Sequence, residues 1–253
     1  MKEPIQFDKV SDIYDFYVNV DFDVPFFIKE TDGFNGEILE LMCGTGRVSI
    51  PLLDAGRRMI CVDYSEGMLD SFERKIENKN YSVNLVQMDV ANLNLDKKFG
   101  FIILPFHSIT EIISTDLQIQ ALQSISSHLD KDGMFILTLQ NPKTRLRLAD
   151  GMTRVMGKYQ MDEDRQLIIS YMNRYNESDK IVSGFQFYEI YDAMNILIEK
   201  RWLEINFKPI ADSELRSMIK PAGLEIVEMY GDYSYGCFDE ETSNFMIYKM
   251  TKR

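Results

Sequence analysis

The chain has few of the residues that bind transition metals or build disulfide frameworks, with two histidines and three cysteines among 253 residues. No two cysteines form a C-x-x-C pair, and Cys43 and Cys61 fall in or beside apolar runs that predict strands. We therefore expect no metal site and no disulfide, and we interpret Cys43, Cys61 and Cys237 as reduced thiols of the core.

Positive charge is scarce as well. Lys and Arg number 28 against 40 Asp and Glu, which gives a formal net charge of −12. A surface this acidic has few cations with which to displace counterions from a phosphate backbone. The balance of charge argues against a nucleic-acid partner.

Long apolar segments are also lacking. Residues 1–8, M-K-E-P-I-Q-F-D, have no apolar signal region, and no apolar run elsewhere is long enough to cross a bilayer. The sequence therefore predicts a cytoplasmic protein without a membrane partner. Its length suits one large domain, or one domain with an insertion, that folds alone as a monomer or homodimer.

The most informative stretch is 38–53, I-L-E-L-M-C-G-T-G-R-V-S-I-P-L-L, in which an apolar strand runs into a glycine-rich turn and then a helix. Gly44 and Gly46 let the backbone bend sharply and approach a ligand, which the N–H groups at the helix start then face. Glu40 precedes the turn, and Asp63 ends the next apolar run, near the spacing at which an acid meets ribose hydroxyls in nucleotide folds. The pattern predicts a ligand that contains a nucleoside.

This stretch resembles motif I of the class I S-adenosylmethionine-dependent methyltransferases, whose usual form is acid-x-Gly-x-Gly-x-Gly. Met42 stands where the first glycine of that motif would be. The spacing 44–49 also comes near the G-x-G-x-x-G/A fingerprint of dinucleotide folds, with Ser49 in the third place. The resemblance implies cofactor contacts by Glu40, Met42, Cys43, Gly44, Thr45 and Gly46.

The second predicted strand, 58–62, leads into a segment that resembles the same family. Residues 62–69 read V-D-Y-S-E-G-M-L, which is similar to the family's second strand and helix start. The resemblance implies that Asp63 binds both ribose hydroxyls and that Met68 packs on the adenine, with Tyr64 also at the cofactor. Ser65 is expected to cap the helix. Met68 is equally compatible with a plain core position, because methionine fills gaps in many cores.

The third predicted strand, 83–88, ends in Asp89 and Val90. An acid at this place resembles the family residue that accepts a hydrogen bond from the adenine amino group, and Val90 is placed beside it at the cofactor. Glu40, Asp63 and Asp89 thus fall at the ends of three successive predicted strands, where ligands of open α/β sheets bind. The three acids together favour an adenosine-containing cofactor.

The fourth predicted strand, 99–104, runs into P-F-H-S-I-T at the position of motif IV, beside the reactive methyl group in the family. The resemblance implies that Leu104 and Pro105 contact the cofactor and that Phe106 faces the sulfonium or the acceptor. The Asp/Asn-Pro-Pro-Tyr/Phe version used on nucleobase or glutamine amino groups is not present, which points to a small-molecule acceptor. His107 is the candidate for holding the substrate or removing a proton, beside a purely structural interpretation as a loop residue.

The N-terminal segment from Phe7 to Glu30 interleaves aromatic residues with acids, which predicts one or two short helices lying across a larger body. Its stretch 14–23 resembles the Tyr-Asp lead-in of small-molecule methyltransferases, in which an N-terminal helix covers the cofactor. The resemblance places Tyr14 at the cofactor and Tyr17 at the substrate.

The pattern as a whole predicts an α/β fold. We expect a doubly wound, mostly parallel seven-stranded sheet, the Rossmann-like methyltransferase fold, with an inserted antiparallel β meander whose runs are 166–175, 181–191 and 196–207. Asp212 is expected to cap a helix that ends near Ala222. The expected parts are a helical lid at 1–35, a cofactor-binding core at 36–142, the insertion forming the acceptor side at 150–210, and a closing helix with a strand pair at 211–253. The aromatic residues expected to line the acceptor pocket or pack the meander include Tyr171, Tyr175, Phe185, Phe187, Tyr188 and Trp202.

The leading hypothesis is methyl transfer from S-adenosylmethionine to an O, N or C nucleophile of a small molecule. The protein would align the in-line displacement, with S-adenosylhomocysteine as the second product. Two alternatives stay open. The spacing 44–49 supports an NAD(P)-dependent oxidoreductase, against which Asp89 and the motif IV position count, and a non-catalytic cofactor-binding regulatory protein would keep the turn without an acceptor pocket.

Overall fold

The protein alternates strands and helices over residues 4–253, which are the residues that the computed structural model describes. Within this range no helix is both long enough and apolar enough to span a membrane. The strands are β1 (Glu37–Leu41), β2 (Arg58–Asp63), β3 (Val83–Gln87), β4 (Phe99–Leu104), β5 (Leu129–Gln140), β6 (Asp150–Gln160), β7 (Gln166–Asn176), β8 (Ile181–Tyr191), β9 (Leu197–Phe207), β10 (Leu224–Tyr230) and β11 (Phe245–Lys252). The helices are α1 (Tyr14–Tyr17), α2 (Val24–Glu30), α3 (Ser49–Asp54), α4 (Glu66–Ile76), α5 (Thr115–His128), α6 (Pro142–Arg145) and α7 (Asp212–Ile219).

The main sheet has seven strands in the order β10-β11-β5-β4-β1-β2-β3. The neighbours from β5 to β3 pair in parallel, whereas β11 runs antiparallel to both β5 and β10. The predicted fold class is therefore confirmed. Because β1 to β4 point the same way, their carboxyl ends meet at one edge of the sheet, which is where open α/β sheets bind ligands.

Helices cover both faces of this sheet, which explains why its central strands carry apolar residues on both faces. One buried cluster includes Leu122 and Ile125 of α5 with Leu215 of α7. A second cluster, on the other face, includes Leu52 of α3 and Phe72 of α4. The two cores hold the strand ends in fixed positions beneath the site.

Helix ends show which local predictions were right. The hydroxyl of Ser65 accepts a hydrogen bond of 3.1 Å from Met68 N, so the predicted cap of α4 is confirmed. The prediction for Asp212 was wrong, because it is the first residue of α7 and Ala211 precedes it as the cap. The Asp212 carboxylate instead accepts from the Tyr248 hydroxyl at 3.0 Å, and the helix ends at Ile219, before Ala222.

The meander is a separate antiparallel sheet in the order β6-β7-β8-β9. Its first strand, β6, lies outside the three β-rich runs that the sequence predicts. Leu167, Tyr188 and Leu203 are buried on one face of this sheet and pack against Val10 and Ile13 of the N-terminal segment. The meander and the N-terminal segment therefore share a small core of their own.

The three cysteines are free thiols in different surroundings. Cys43 and Cys61 are buried, as expected, and Cys61 Sγ lies 3.3 Å from the hydroxyl of Ser49. Cys237 is exposed, so its assignment to the core was wrong. It lies in the connection between β10 and β11, outside both strands.

Candidate active site

The turn after β1 takes the left-handed backbone conformation at three positions. The φ angle is 55° at Met42, 56° at Gly44 and 83° at Gly46. This conformation is free for glycine but costs other L-residues about 1 to 2 kcal/mol. Met42 therefore adopts the backbone that a glycine would adopt there, at a cost in stability, and its side chain is held at the site.

A side chain does not fit at Gly46. A Cβ atom there would lie 2.6 Å from Cε2 of Phe72, which is fully buried on α4. The absence of a side chain thus lets α4 pack directly against the turn. The turn and the helix after β2 are held together as one unit.

Asp63 ends β2 and uses its carboxylate to hold two loops. Its Oδ2 accepts a hydrogen bond of 2.7 Å from Gly44 N, and its Oδ1 accepts one of 2.9 Å from Ser65 N. Burial raises the pKa of Asp63, although these main-chain donors oppose the shift. Each oxygen retains a lone pair that can accept from a ligand.

A cavity of about 340 Å³ opens beside this turn, at the carboxyl ends of β1 to β4. Three acids line it, namely Asp63, Asp89 and Glu111, and no lysine or arginine is among its lining residues. The predicted site residues that line it are Tyr14, Met42, Gly44, Asp63, Tyr64, Met68, Asp89 and Val90. Those that do not are Tyr17, Glu40, Cys43, Thr45, Gly46, Leu104, Pro105, Phe106 and His107.

Glu40 is separated from the other two predicted acids. Its side chain is almost completely buried under the turn, and Oε2 accepts a hydrogen bond of 2.5 Å from the hydroxyl of Ser49. Burial raises the pKa of Glu40 to about 8, against a smaller opposing effect of Ser49 and Arg47. The structure brings Asp63 and Asp89 together at the cavity but leaves Glu40 in the interior.

Three aspartates fasten the N-terminal segment over the site. Asp8 accepts hydrogen bonds from Ser65 Oγ at 2.9 Å and Gly67 N at 2.8 Å, at the start of α4. Asp15 accepts one of 2.5 Å from the hydroxyl of Thr45 in the turn. A third aspartate, Asp23, pairs with the arginine that follows Gly46. These contacts fix the described part of the predicted lid against the turn, while residues 1–3 of that lid lie outside the described residues.

Comparison with known proteins identifies a methyltransferase domain within the chain. Residues 38–133 match the family model described as a methyltransferase domain. The chain therefore contains a methyltransferase domain, and the protein is an S-adenosylmethionine-dependent methyltransferase. Its matched region contains the turn, Asp63, Asp89 and the loop after β4.

Known proteins similar to this methyltransferase include one that is similar in sequence and two solved structures that are similar in fold. The cypemycin N-terminal methyltransferase of a Streptomyces species is 26% identical over 197 residues, which is 78% of this chain and 76% of that protein. The CcbJ methyltransferase of Streptomyces caelestis is 23% identical with a TM-score of 0.81, over 100% of this chain and 99% of that one. CalS10, an amino pentose methyltransferase of Micromonospora echinaspora solved with SAM bound, is 16% identical with a TM-score of 0.72, over 100% of both chains.

The methyltransferase cavity suits its cofactor. Its volume of about 340 Å³ falls in the range of about 300 to 1,000 Å³ typical of small-molecule sites. It combines an anchored carboxylate, Asp63, with apolar walls that include Met68 and Val90. A ribose diol needs acceptors of this kind, and an adenine ring needs apolar surfaces of this kind.

The loop after β4 has two consecutive residues in the left-handed backbone conformation. Phe106 and His107 are consecutive residues with φ angles of 58° and 57°. The guanidinium of Arg47 lies 4.3 Å above the Phe106 ring. Burial, with Arg145 and Arg47 nearby, lowers the pKa of His107 to about 3, so the imidazole is neutral at physiological pH and a weak base.

The sequence reasoning missed Glu111, which lines the cavity. It closes a short 3-10 turn, Ser108–Glu111, directly after the motif IV loop. Burial and the nearby Asp63 raise its pKa to about 8. The available signal was an acid placed within a few residues of motif IV, but a single acid has no periodicity that separates it from a solvated turn residue.

The meander's aromatic residues divide between its two faces. Tyr188 is buried, and its hydroxyl lies 3.1 Å from the hydroxyl of Tyr17 on α1. Trp202 is 53% exposed, and its ring packs edge to face with Phe185, which also stacks with Phe187. Because neighbouring side chains on a strand alternate between faces, these three lie on the face opposite Tyr188 and do not line the acceptor side of the methyltransferase.

Proposed function

We propose that this methyltransferase transfers the methyl group of S-adenosylmethionine to a nucleophilic atom of a small molecule. The observation that carries the proposal is the cavity at the ends of β1 to β4, with Asp63 and Asp89 on its wall and the turn Met42–Gly46 at its base. The cofactor is assigned to this cavity. The acceptor is assigned to the end that faces α1 and the meander.

The adenosine half of the cofactor is assigned to the β2 and β3 side. Asp63 accepts from the ribose hydroxyls with the lone pairs that its main-chain donors leave over. Asp89 is assigned to the adenine amino group. Met68 and Val90 supply the apolar walls for the ring, and Tyr64 stands at the cavity rim.

The methionine half is assigned to the turn. Met42 and Gly44 line the cavity there, with Tyr14 opposite them. The side chains of Cys43 and Thr45 are buried, and the Thr45 hydroxyl is already bonded to Asp15, so the proposed contacts of these two residues are made by the main chain. Four predicted cofactor residues do not line the cavity and are assigned to supporting the turn and the strand ends instead: Glu40, Gly46, Leu104 and Pro105.

The chemistry asks mainly for alignment and exclusion of water. When bound, the cofactor supplies a methyl group that its sulfonium already activates for in-line displacement. The protein's part is to hold the acceptor in line with the methyl group and to cover the site. Asp8, Asp15 and Asp23 contribute to the second task, because they hold the N-terminal segment against the turn. His107 and Phe106 remain predictions for the acceptor side, and the low pKa of His107 disfavours it as the proton acceptor.

The size of the cavity, the negative charge of the protein and the names of similar proteins favour a small-molecule acceptor. The cavity is about 340 Å³, its lining has acids but no lysine or arginine, and the chain carries a net charge of −12. By their names, CalS10 is an amino pentose methyltransferase and the cypemycin enzyme is an N-terminal methyltransferase. The cytoplasmic location and the monomeric or homodimeric state stay predictions from the sequence.

Isothermal titration calorimetry tests the cofactor assignment. We expect S-adenosylmethionine and S-adenosylhomocysteine to bind with one site per chain and NAD to show no heat of binding. Mass spectrometry of a panel of small amines, phenols and sugars incubated with S-adenosylmethionine then identifies the acceptor class. Binding of NAD without either adenosyl compound would overturn the proposal.

A further inference from the structure

Glu111 is a carboxyl group at the cavity for which the described chain provides no cation. It is half-buried, it lines the cavity, and it forms no ion pair with any lysine or arginine of residues 4–253. A carboxyl group that is partly shielded from water without a partner is unfavourable as the anion, and a ligand that supplies a cation would stabilise it. The lining of the cavity, which has acids but no basic residue, favours a cationic ligand group.

The surroundings of Glu111 place it at the acceptor end of the cavity. It follows β4, whereas the acids assigned to adenosine follow β2 and β3 on the other side of β1. The charged and titratable groups that face it are Asp63, Tyr14 and Tyr17. Tyr17 is in turn bonded to Tyr188 of the meander, so Glu111 faces the junction between the core and the meander.

The tyrosines beside Glu111 do not compete with it for protons. Burial, followed by the Glu111 carboxyl, raises the pKa of Tyr14 well above its ordinary value. Burial and the neighbouring Tyr188 and Tyr14 do the same for Tyr17. Both phenols therefore stay protonated, and Glu111 is the group at this end that exchanges a proton near neutral pH.

We infer that Glu111 binds the amino group of the methyl acceptor, and that the acceptor is accordingly a small-molecule amine. This inference rests on the proposed function, because it takes the cavity to be the cofactor site. The carboxylate would hold the acceptor nitrogen in line with the methyl group. It would also exclude acceptors that present a carboxylate or a phosphate at that position.

The proton balance follows from the same contact. An ammonium group transfers one proton to the Glu111 carboxylate, which leaves the nitrogen lone pair free to attack. The N–C bond then forms as the C–S bond breaks, and the electron pair of the broken bond stays on sulfur as a neutral thioether. The methylated nitrogen carries the positive charge away, and Glu111 keeps the proton until the next ammonium group binds, when it releases the proton to solvent.

Sinefungin is a probe for this contact that needs no knowledge of the acceptor. It is an analogue of S-adenosylhomocysteine whose additional amino group occupies the place of the transferred methyl group. Because the unliganded carboxyl of Glu111 has a pKa of about 8, it is largely protonated at pH 7 and would ionise when an ammonium group binds beside it. We expect release of up to about one proton with sinefungin and not with S-adenosylhomocysteine, measured by calorimetry at pH 7 in buffers of different ionisation enthalpy.

The variant Glu111→Gln keeps the shape of the side chain but removes its charge. We expect it to lose the proton release and roughly tenfold or more of its sinefungin affinity, with the affinity for S-adenosylhomocysteine unchanged. Asp116→Asn, an exposed residue in the first turn of α5, removes the same charge nearby and should change neither.

Each other outcome is decisive. An equal loss of affinity for both ligands would make Glu111 a contact of the shared cofactor portion, and no loss for either would remove it from the site. Absence of proton release in the native protein overturns the inference without any variant. Failure of S-adenosylhomocysteine to bind the native protein refutes the proposed function itself and is thereby distinguished from these results.

Discussion

The main-chain N–H of Gly44 donates a hydrogen bond of 2.7 Å to Oδ2 of Asp63, which joins the turn after β1 to the end of β2. The other oxygen of the same carboxylate holds Ser65 N at the start of α4. One side chain thus fixes two loops on neighbouring strands and still presents lone pairs to the cavity. The shape of the turn and the proposed recognition of ribose depend on the same carboxylate.

Asp63→Ala should weaken S-adenosylhomocysteine binding by roughly 1 to 3 kcal/mol, because the ribose hydroxyls and two main-chain donors lose their acceptor. Calorimetry measures the affinity, and urea denaturation measures the accompanying loss of stability. Asp70→Ala serves as the control, since Asp70 is an exposed residue of α4. An unchanged affinity in Asp63→Ala would place the ribose elsewhere.

Met42 allows the conformational cost of the turn to be measured. Met42→Gly and Met42→Ala lose the same packing, but only alanine must adopt a φ near the observed 55° against its preference. We expect the glycine variant to be more stable by about 1 kcal/mol in urea denaturation. At Met68, inside α4, the alanine variant should instead be more stable than the glycine variant, because glycine is the poorer helix former. If Met42→Ala were more stable than Met42→Gly, the left-handed backbone at position 42 would be contradicted.

The parts of the fold that the sequence predicted are those in which burial imposes a pattern. The strands β1, β2 and β4 are mostly apolar because helices cover both of their faces. β6 escaped prediction because it is an edge strand of the meander with most of its side chains exposed, so no alternation marks it. Its residues are held by pairing with β7 rather than by a core.

The candidate site divides in the same way. Asp63 and Asp89 were predictable because each follows a strand at a place where such folds bind ligands. Glu111 depends on how the loop after β4 turns back toward α1, which no local pattern encodes. The same holds for Asp8, Asp15 and Asp23, whose spacing suggested helix faces but whose partners lie far away along the chain.

The ion pair between Arg47 and Asp23 should contribute strongly to the stability of the protein by holding the N-terminal segment in place. The two nitrogens of the guanidinium lie 2.5 and 2.7 Å from the two oxygens of Asp23, which is fully buried. Arg47→Met leaves that carboxylate unpaired and should cost about 3 to 5 kcal/mol of unfolding free energy. The double variant with Asp23→Asn should recover part of this loss, because no buried charge remains.

Urea denaturation of the native protein, the two single variants and the double variant gives the coupling energy of this pair. Asp32→Asn is the control, since Asp32 is an exposed partner of Arg57 in a comparable pair and should change stability little. Strict additivity of the two single changes would mean that Arg47 and Asp23 do not interact in solution.

Glu40 should make the protein less stable as the pH rises through neutrality. Burial raises its pKa in the folded state to about 8 from an ordinary value of 4.5. Below the ordinary value both states hold the proton, so Glu40 has no effect there. Between the two values the unfolded chain releases the proton while the folded chain keeps it, and stability falls with pH until both states are ionised.

Glu40→Gln imitates the protonated side chain and has no such dependence. We expect native and variant proteins to have similar stability near pH 5, and the native protein to lose on the order of 2 to 4 kcal/mol relative to the variant by about pH 8. Ser49→Ala removes the hydroxyl that stabilises the carboxylate, so its stability should fall with pH at least as steeply as that of the native protein. Urea denaturation at half-unit steps from pH 5 to 9 measures these differences, and a native curve parallel to that of Glu40→Gln would show that the buried carboxyl is already ionised at neutral pH.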